Sequence, residues 1–174
     1  FEAPTVAALA TALEQAVAQD QAPPIVAVPR DGRALPLSFA QQRLWFVDQL
    51  VPDNPFYNMP GGFRIQGPLD IERLQRSLNG VLQRHEALRT TFDSQSGEPF
   101  QVIRPHLALA LGVVDLSGIP QSQAFGQQLA NREAQRTFDL KQGPLVRGTV
   151  LRYGPQDHGV MVTLHQIVGD RWSQ

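Results

Sequence analysis

His165 and Asp170, near the end of the sequence, have types and a spacing that could support chemistry. The apolar residues 159–164 before His165 indicate a buried strand, whereas the segment after it has no periodicity. A histidine at the end of a buried strand can serve as a base or as a hydrogen-bond partner, and an aspartate can fix the loop. We therefore treat residues 164–173 as a candidate reaction centre.

Gln166, which follows His165 directly, limits that chemistry. A carboxamide donates and accepts hydrogen bonds, but it cannot take up a proton near neutral pH. A metal centre built on His165 and Asp170 would need further ligands that the sequence does not place, so we expect no metal. The sequence contains no cysteine, which excludes disulfides, thiolate nucleophiles and cysteine-based metal sites.

The composition is that of an ordinary globular domain. The 174 residues are 42% hydrophobic and 18% charged, and 15 basic against 16 acidic side chains leave a net charge of -1. This balance provides no field to attract nucleic acid or an anionic membrane surface. No apolar stretch approaches the ~20 residues that a membrane span needs. We expect a cytoplasmic protein without nucleic-acid or membrane partners.

The first 36 residues differ in character from the rest. They begin with neither an initiator methionine nor a signal peptide, so we expect a piece excised from a longer polypeptide. Residues 3–19 fit a helix with Thr5 as its N-cap and apolar residues at spacings of three and four. Residues 20–36 are rich in proline, and we expect an extended linker without helix or strand pairing. This shift places a module boundary near residue 35.

The remaining sequence alternates helices with pairs of strands. Ser38 is expected to cap a helix that ends near Leu50, and Asp70 opens a second helix. The other predicted elements are strands at 57–65, 88–93, 100–103, 107–114, 145–153 and 160–164, turns at 96–99 and 154–157, and a helix at 121–137. Helices mixed with hairpins, rather than strict strand–helix repeats, indicate an α/β layer with a mixed sheet.

Two long motifs precede the His165 segment. Residues 37–45 are Leu-Ser-Phe-Ala-Gln-Gln-Arg-Leu-Trp, and residues 84–92 are Arg-His-Glu-Ala-Leu-Arg-Thr-Thr-Phe. By spacing alone the first is an N-capped amphipathic helix, and the second is a charged junction between a helix and a strand. In this order, followed by residues 165–171, they closely resemble core motifs of nonribosomal peptide synthetase condensation domains.

The resemblance covers residues 36–174 and implies a fold. Condensation domains join two lobes of chloramphenicol acetyltransferase-like fold, with the active motif in a tunnel between them. The sequence matches only the N-terminal lobe and the motif at its edge. We therefore expect a mixed β-sheet with helices packed on it, and a fragment that is inactive without the C-terminal lobe.

The resemblance also assigns roles at the candidate centre. The family's motif is His-His-x-x-x-Asp-Gly, so His165 takes the place of the first histidine, which points into the structure. Gln166 takes the place of the second histidine, which positions or deprotonates the amine or stabilises the tetrahedral intermediate. Asp170 matches an aspartate that holds the loop through an arginine. Arg84 is the first expected partner of that aspartate, and Arg89 is the second.

Arg171 stands where the family has glycine, so the motif is degenerate at this position as well as at Gln166. Glycine can adopt positive φ freely, whereas arginine cannot. The bulky cation could block the tunnel, alter the loop or pair with the adjacent Asp170.

The reaction that the resemblance implies is amide-bond formation between a donor thioester and an acceptor amine. Upstream donor and downstream acceptor peptidyl carrier domains deliver both groups on phosphopantetheine, and no cofactor is expected to bind the domain directly. Two alternatives stay open. One is a non-catalytic condensation-like domain that acts as a docking or spacing scaffold. The other is an epimerisation domain, which the first two motifs disfavour.

A shorter resemblance concerns the start of the chain. Residues 1–10 are similar to the closing helix of a peptidyl carrier domain, but the serine motif that would carry phosphopantetheine is absent. The expected organisation is therefore a carrier helix at 1–19, a proline-rich linker at 20–35 and the condensation lobe at 36–174.

Overall fold

A computed structural model of the protein describes residues 5–19, 24, 26–31 and 33–170. The chain divides into two compact units, residues 1–33 and residues 34–174. The first unit contains helix α1 (Val6–Gln19), whose first turn is capped because Thr5 Oγ1 accepts a hydrogen bond from the Ala8 amide at 3.2 Å. The predicted helix is thus found from Val6 onward, while residues 3 and 4 lie outside the described part.

The second unit alternates strands with helices, as the sequence predicts. Its regular elements are, in chain order, β1 (Leu35–Pro36), α2 (Phe39–Leu50), β2 (Asn58–Gln66), α3 (Ile71–Arg84), β3 (Thr90–Gln95), β4 (Glu98–Ile103), β5 (Leu111–Asp115), α4 (Ser122–Gln135), β6 (Val146–Gly154) and β7 (Asp157–His165). Short 3₁₀ turns cover Glu86–Arg89 and Gln166–Val168.

The larger sheet is mixed, as predicted. Its strand order is β2-β7-β6-β5, with β5 parallel to β6 and the other pairs antiparallel. The β2–β7 register sets Asn58 opposite His165, and the β6–β7 register sets Val146 opposite Leu164. The last strand in sequence, β7, therefore lies in the interior of the sheet, and His165 is at its end.

The smaller sheet has the order β1-β4-β3 and corrects one prediction. Residues 20–36 were expected to hold no strand pairing, but Leu35 and Pro36 pair with Gln101 and Phe100 of β4. Proline is tolerated there because β1 lies at the edge of the sheet, where one side of the strand needs no hydrogen-bond partner.

Helices cover both faces of the larger sheet. The apolar side chains of α3 pack on those of β6 and β7, and Leu82 and Val150 are only 2% and 0% exposed. Neighbouring residues of a strand point to opposite faces, so Tyr153 of β6 points away from α3. Its ring lies against Gly126 of α4. The sheet is thus a layer between α3 and α4.

A second apolar cluster lies between α2 and the smaller sheet. Its buried members are Leu37, Leu44, Phe92, Phe138, Leu140, Leu145, Ile167 and Val168. The predicted Ser38 cap is confirmed as a capping box, in which Ser38 and Gln41 each accept a hydrogen bond from the other's amide. The cap fixes the start of α2 close to the turn that follows β7.

Most element boundaries lie one to four residues away from the predicted positions, and two of these differences are described here. The β3–β4 connection is only Ser96-Gly97, both with positive φ (53° and 85°), so the predicted turn at 96–99 is two residues too long. The strand predicted at 107–114 begins at Leu111. Before it, the amide of Leu109 donates to the Asn79 side chain at 2.7 Å, so a side chain takes the place of a neighbouring strand.

Within the described residues, no helix has the length and apolar character that crossing a membrane requires.

Candidate active site

His165 is enclosed at the end of β7. It is 3% exposed, and its amide donates to the carbonyl of Leu145 at 3.0 Å. The rings of Tyr57 and Phe138 meet the imidazole edge-on, with centroid distances of 6.3 and 6.0 Å. Aromatic contacts on two sides and a fixed backbone leave this side chain a single orientation.

The protonation state of His165 follows from its surroundings. Its Nδ1 accepts a hydrogen bond from the amide of Ile167 at 3.1 Å, so the neutral imidazole carries its proton on Nε2. Burial lowers the pKa of His165 from 6.5 to about 4, because a charged imidazolium would lose its hydration. At neutral pH the residue is an uncharged hydrogen-bond acceptor that shapes the turn. This geometry favours the hydrogen-bond role over the role of base.

Gln166 opens the 3₁₀ turn Gln166–Val168, which we call the Gln166 turn. Its side chain is exposed, whereas the next two residues, Ile167 and Val168, are 3% and 5% exposed and belong to the α2 cluster. The Gln166 amide donates to the carbonyl of Tyr57 at 2.9 Å. The turn thus holds one polar side chain toward solvent on a buried backbone.

Gln41 connects α2 to this turn. Its Nε2 donates to the carbonyl of Ile167 at 3.2 Å, while its Oε1 accepts from the amide of Ser38 at 3.0 Å. One carboxamide therefore caps the helix and holds the turn. The first sequence motif and the His165 segment, which together carry the family resemblance, are in direct contact here.

An enclosed ion pair supports Phe138 from behind. The guanidinium of Arg147 is paired with Glu133, and the two side chains are 14% and 18% exposed. Arg147 also donates to the carbonyls of Thr137 at 3.0 Å and Arg136 at 2.6 Å. The guanidinium carbon Cζ of Arg147 lies 3.6 Å from the ring centroid of Phe138. This stack holds the ring that meets His165.

Asn58, the cross-strand neighbour of His165, ties the start of β2 to the end of α4. Its Nδ2 donates to the carbonyls of Ala134 at 2.7 Å and Arg136 at 2.9 Å. These are carbonyls of the last helical turn and the cap, which lack partners inside the helix. These two hydrogen bonds join the start of β2 to the end of α4 beside His165.

The other predicted site residues are spread along the second unit. Asp170 is exposed and lies just beyond the turn, and Arg84 is exposed at the end of α3. Arg89 is 14% exposed; it donates to the carbonyl of Arg104 at 2.6 Å and approaches Glu86 at 3.6 Å. The pairing of Asp170 with Arg84 or Arg89 stays a prediction. Arg171 lies outside the described residues.

A groove of about 500 Å³ lies between β2 and α4. Thr163, two residues before His165, lines one end of it, and Gly61 and Gly62 line the β2 side, where they present no side chain. No group of three or more histidine, aspartate or glutamate side chains in the described part of the chain could hold a metal ion.

Sequence reasoning found the turn but missed its supports. The capping pattern Ser38-x-x-Gln41 was a readable signal for the helix cap, yet nothing in it indicates the contact with Ile167. Arg147 and Asn58 carried no signal at all, because their roles depend on how the end of α4 packs against the sheet.

The fold and the site together define a class of protein. The sequence profile of the condensation domain family matches residues 32–174. The chain belongs to this family, and the family predicted from the motifs is thereby confirmed.

Two relatives illustrate the sequence similarity. One of the proteins that make up linear gramicidin synthase in Brevibacillus parabrevis is 50% identical over 156 residues, which cover 88% of this chain and 2% of that protein. Phosphinothricin tripeptide synthetase PhsC of Streptomyces viridochromogenes is 41% identical over 163 residues, covering 92% of this chain and 15% of that protein. The chain thus spans a small fraction of the relatives that it matches.

Solved structures agree with the fold. The starter condensation domain of rhizomide synthetase RzmA superposes with a TM-score of 0.72 and 28% identity over 78% of this chain and 34% of that chain. The first condensation domain of the CDA synthetase gives a TM-score of 0.71 at 22% identity, which shows the fold alone, over 36% of that chain. Covering about a third of these domains is consistent with one lobe of chloramphenicol acetyltransferase-like fold, as predicted.

Proposed function

We propose that this chain is part of a condensation domain that forms an amide bond between a carrier-bound donor thioester and a carrier-bound acceptor amine. The amine nitrogen attacks the thioester carbonyl carbon, and the carbon–sulfur bond then breaks. The sulfur leaves on the donor's phosphopantetheine arm and takes up a proton as the nitrogen loses one. The phosphopantetheine arms belong to the substrates and arrive with the carriers.

The observation that carries this proposal is the exposure of Gln166 on an otherwise buried turn. Its backbone is held on both sides, by Tyr57 and by the Ile167 contacts. A carboxamide held in this way can donate a hydrogen bond to the oxygen that becomes negative during attack, or accept one from the amine. It cannot act as the base, so the proton leaves the nitrogen without the help of Gln166.

The proposed partners are an upstream donor carrier, a downstream acceptor carrier and the C-terminal lobe of the same domain. Similarity to peptide synthetases over 88% and 92% of the chain supports this context. We further propose that residues 1–19 are the closing helix of the preceding carrier domain and that residues 20–35 are a linker. The first compact unit, which ends at residue 33, supports this division. Without the second lobe, the isolated fragment is expected to be inactive.

A scaffold function is the second candidate, and one observation favours it. Gln166 has no basic group, and burial lowers the pKa of His165 to about 4, so this imidazole is only a weak base and is uncharged at neutral pH. A condensation-like domain whose turn lacks a base could serve to dock or space other domains of the assembly line.

Single-turnover condensation by the full-length synthetase separates the two candidates. Carriers preloaded with donor and acceptor are mixed, and the amide product is measured against time. We expect Gln166→Ala to lower the rate by about 10²–10³-fold, the usual effect of removing one donor to a developing oxyanion. The control is Gln95→Ala, which removes an exposed glutamine at the end of β3. It should leave the rate unchanged.

The outcomes are distinct. Loss of product in Gln166→Ala but not in Gln95→Ala supports the enzyme function. A rise of about 10²-fold or more in Gln166→His identifies a site weakened by the absence of a base. If the wild type forms no amide although both carriers bind, and Gln166→His restores none, then the scaffold function is correct and the catalytic proposal is wrong.

A further inference from the structure

The carboxamide of Gln41 makes two hydrogen bonds of different kinds. Its oxygen accepts from the Ser38 amide, which is a local contact within the helix cap. Its nitrogen donates to the Ile167 carbonyl, which belongs to the Gln166 turn, far away along the chain. Helix capping needs only the first contact. The second has no role in α2 itself and therefore calls for an explanation at the turn.

The turn is held by tethers on each side of Gln166. Its own amide is bound by the Tyr57 carbonyl, and the Ile167 amide is bound by His165 Nδ1. The Ile167 carbonyl is bound by Gln41, which comes from a different element. The first tether comes from the residue just before β2, and the second comes from the last residue of β7. Gln41 holds the turn against α2 by a directional contact, in addition to the packing of Ile167 and Val168 in the α2 cluster.

We propose that Gln41 is a positioning residue for Gln166. It sets the place of the Gln166 side chain by holding the carbonyl of the next residue, and it touches no reacting atom itself. The inference rests on the proposed function, since it gives Gln166 a geometry that matters for amide formation. Displacing a catalytic group by about 1 Å can cost up to 10²-fold in rate, so the third tether has a measurable consequence.

Gln41→Glu separates positioning from capping. A glutamate keeps the oxygen that accepts from Ser38 and is as suitable as glutamine in a capping box. It has no donor at neutral pH, so the hydrogen bond to Ile167 is lost and a carboxylate oxygen faces the carbonyl oxygen. The helix start should persist while the turn is released.

The adjacent residue provides a matched control. Gln42 also lies in the first turn of α2, and its Nε2 also donates to a carbonyl, that of Leu37 at 3.3 Å. Gln42→Glu adds the same charge on the same helix and removes the same type of hydrogen bond. It does not touch the Gln166 turn. A second control, Ser38→Ala, removes the cap to the Gln41 amide and leaves the Ile167 contact in place.

The experiment measures single-turnover amide formation by the full-length synthetase over a range of acceptor-carrier concentrations. We expect Gln41→Glu to lower the saturating rate by about 10- to 100-fold and to leave the half-saturating concentration unchanged. Both controls should stay within about threefold of the wild-type rate. Hydrogen–deuterium exchange gives an independent readout. Amides of residues 164–170 should exchange faster in Gln41→Glu but not in Gln42→Glu.

The results test the positioning role of Gln41 separately from the proposed amide-forming function. Equal rates, or equal exchange, in Gln41→Glu and Gln42→Glu would overturn the positioning role. A loss in Ser38→Ala as large as that in Gln41→Glu would do the same, because capping would then explain the effect. A wild type that forms no amide would refute the proposed function, whereas the exchange comparison would still decide whether Gln41 holds the turn.

Discussion

His165 occupies a position where a reactive residue was expected, yet its surroundings hold it neutral. The Ile167 amide donates a hydrogen bond to its Nδ1, and two aromatic rings pack edge-on against the imidazole. A histidine placed this way acts as a fixed acceptor at the start of the turn, much as a cap does for a helix. The polar group that remains exposed is its neighbour, Gln166.

The low pKa of His165 predicts a dependence of stability on pH. The unfolded histidine has a pKa near 6.5, and the folded one titrates at about 4. Between these values the unfolded chain binds a proton that the folded chain does not, so the free energy of unfolding decreases as the pH falls from 6.5 to 4. The loss attributable to His165 is about 3 kcal/mol. Urea unfolding at several pH values measures it.

His165→Asn is the matching variant for this test. An asparagine oxygen can still accept from the amide two residues later, and it does not titrate. The free energy of unfolding of the wild type should exceed that of the variant at neutral pH. This difference should shrink toward acid pH, because only the wild type loses the contribution of His165. Parallel pH profiles for the two proteins would contradict the assignment of the low pKa to His165.

The sequence predicted this residue, but only part of its environment. His165 was found because it ends an apolar strand, a pattern that is local in sequence. Gln41 and Arg147 support its neighbours: Gln41 bonds the Ile167 carbonyl, and Arg147 stacks on Phe138. Neither contact is encoded in spacing or composition, because each depends on how separate elements pack together in the fold.

Among the elements, α4 shows how one glycine allows a close approach to the sheet. A Cβ built on Gly126 would lie 2.1 Å from the hydroxyl oxygen of Tyr153 and 3.0 Å from the ring carbon that bears it. The Tyr153 ring also contacts Arg64, whose guanidinium carbon Cζ lies 4.8 Å from the ring centroid. Moving the tyrosine ring aside would therefore disturb its contact with Arg64.

Gly126→Ala should destabilise the protein by about 1–3 kcal/mol, the usual cost of overpacking. Gly80→Ala in α3 is the matched control, since nothing lies within 4 Å of a Cβ built there. Alanine is the better helix former, so that variant should gain up to about 1 kcal/mol. Urea midpoints of the two variants, compared with the wild type, should shift in opposite directions. Shifts of equal sign would refute the role given to Gly126.

The predictions at this scale succeeded where a pattern is local. The cap predicted at Ser38 and the helix start predicted at Asp70 placed α2 and α3 correctly, because the side chain of each residue accepts a hydrogen bond from an amide of the first turn. The start of β5 was predicted four residues too early because Asn79, on α3, supplies the hydrogen bond to Leu109 that a neighbouring strand would have given.

For the molecule as a whole, β2 is an open edge. In the described part of the chain it pairs with β7 on one side and has no strand on the other. Phe63 of β2 and Val81 of α3 are 56% and 46% exposed beside this edge. They line an apolar groove of about 370 Å³. An unpaired edge with apolar side chains is a surface on which a second chain can add.

We expect the 174-residue chain to associate with itself as its concentration rises. Phe63→Lys should shift the sedimentation velocity profile toward monomer, because a charge on an edge strand opposes strand addition. Phe46→Lys is the control; it changes an equally exposed phenylalanine on α2, away from the β2 edge. A wild type that remains monomeric at high concentration would show that the edge does not drive association.

The interior position of β7 has a consequence for the order in which the chain folds. β2 is synthesised early, but the residues that pair with it, from Asp157 to His165, follow only after both α3 and α4. Pairings between such distant segments form slowly. As the chain leaves the ribosome, β2 must wait without a partner until β7 inserts between it and β6. The Gln166 turn directly follows that strand. We therefore expect the site to form in the same folding step that completes the sheet.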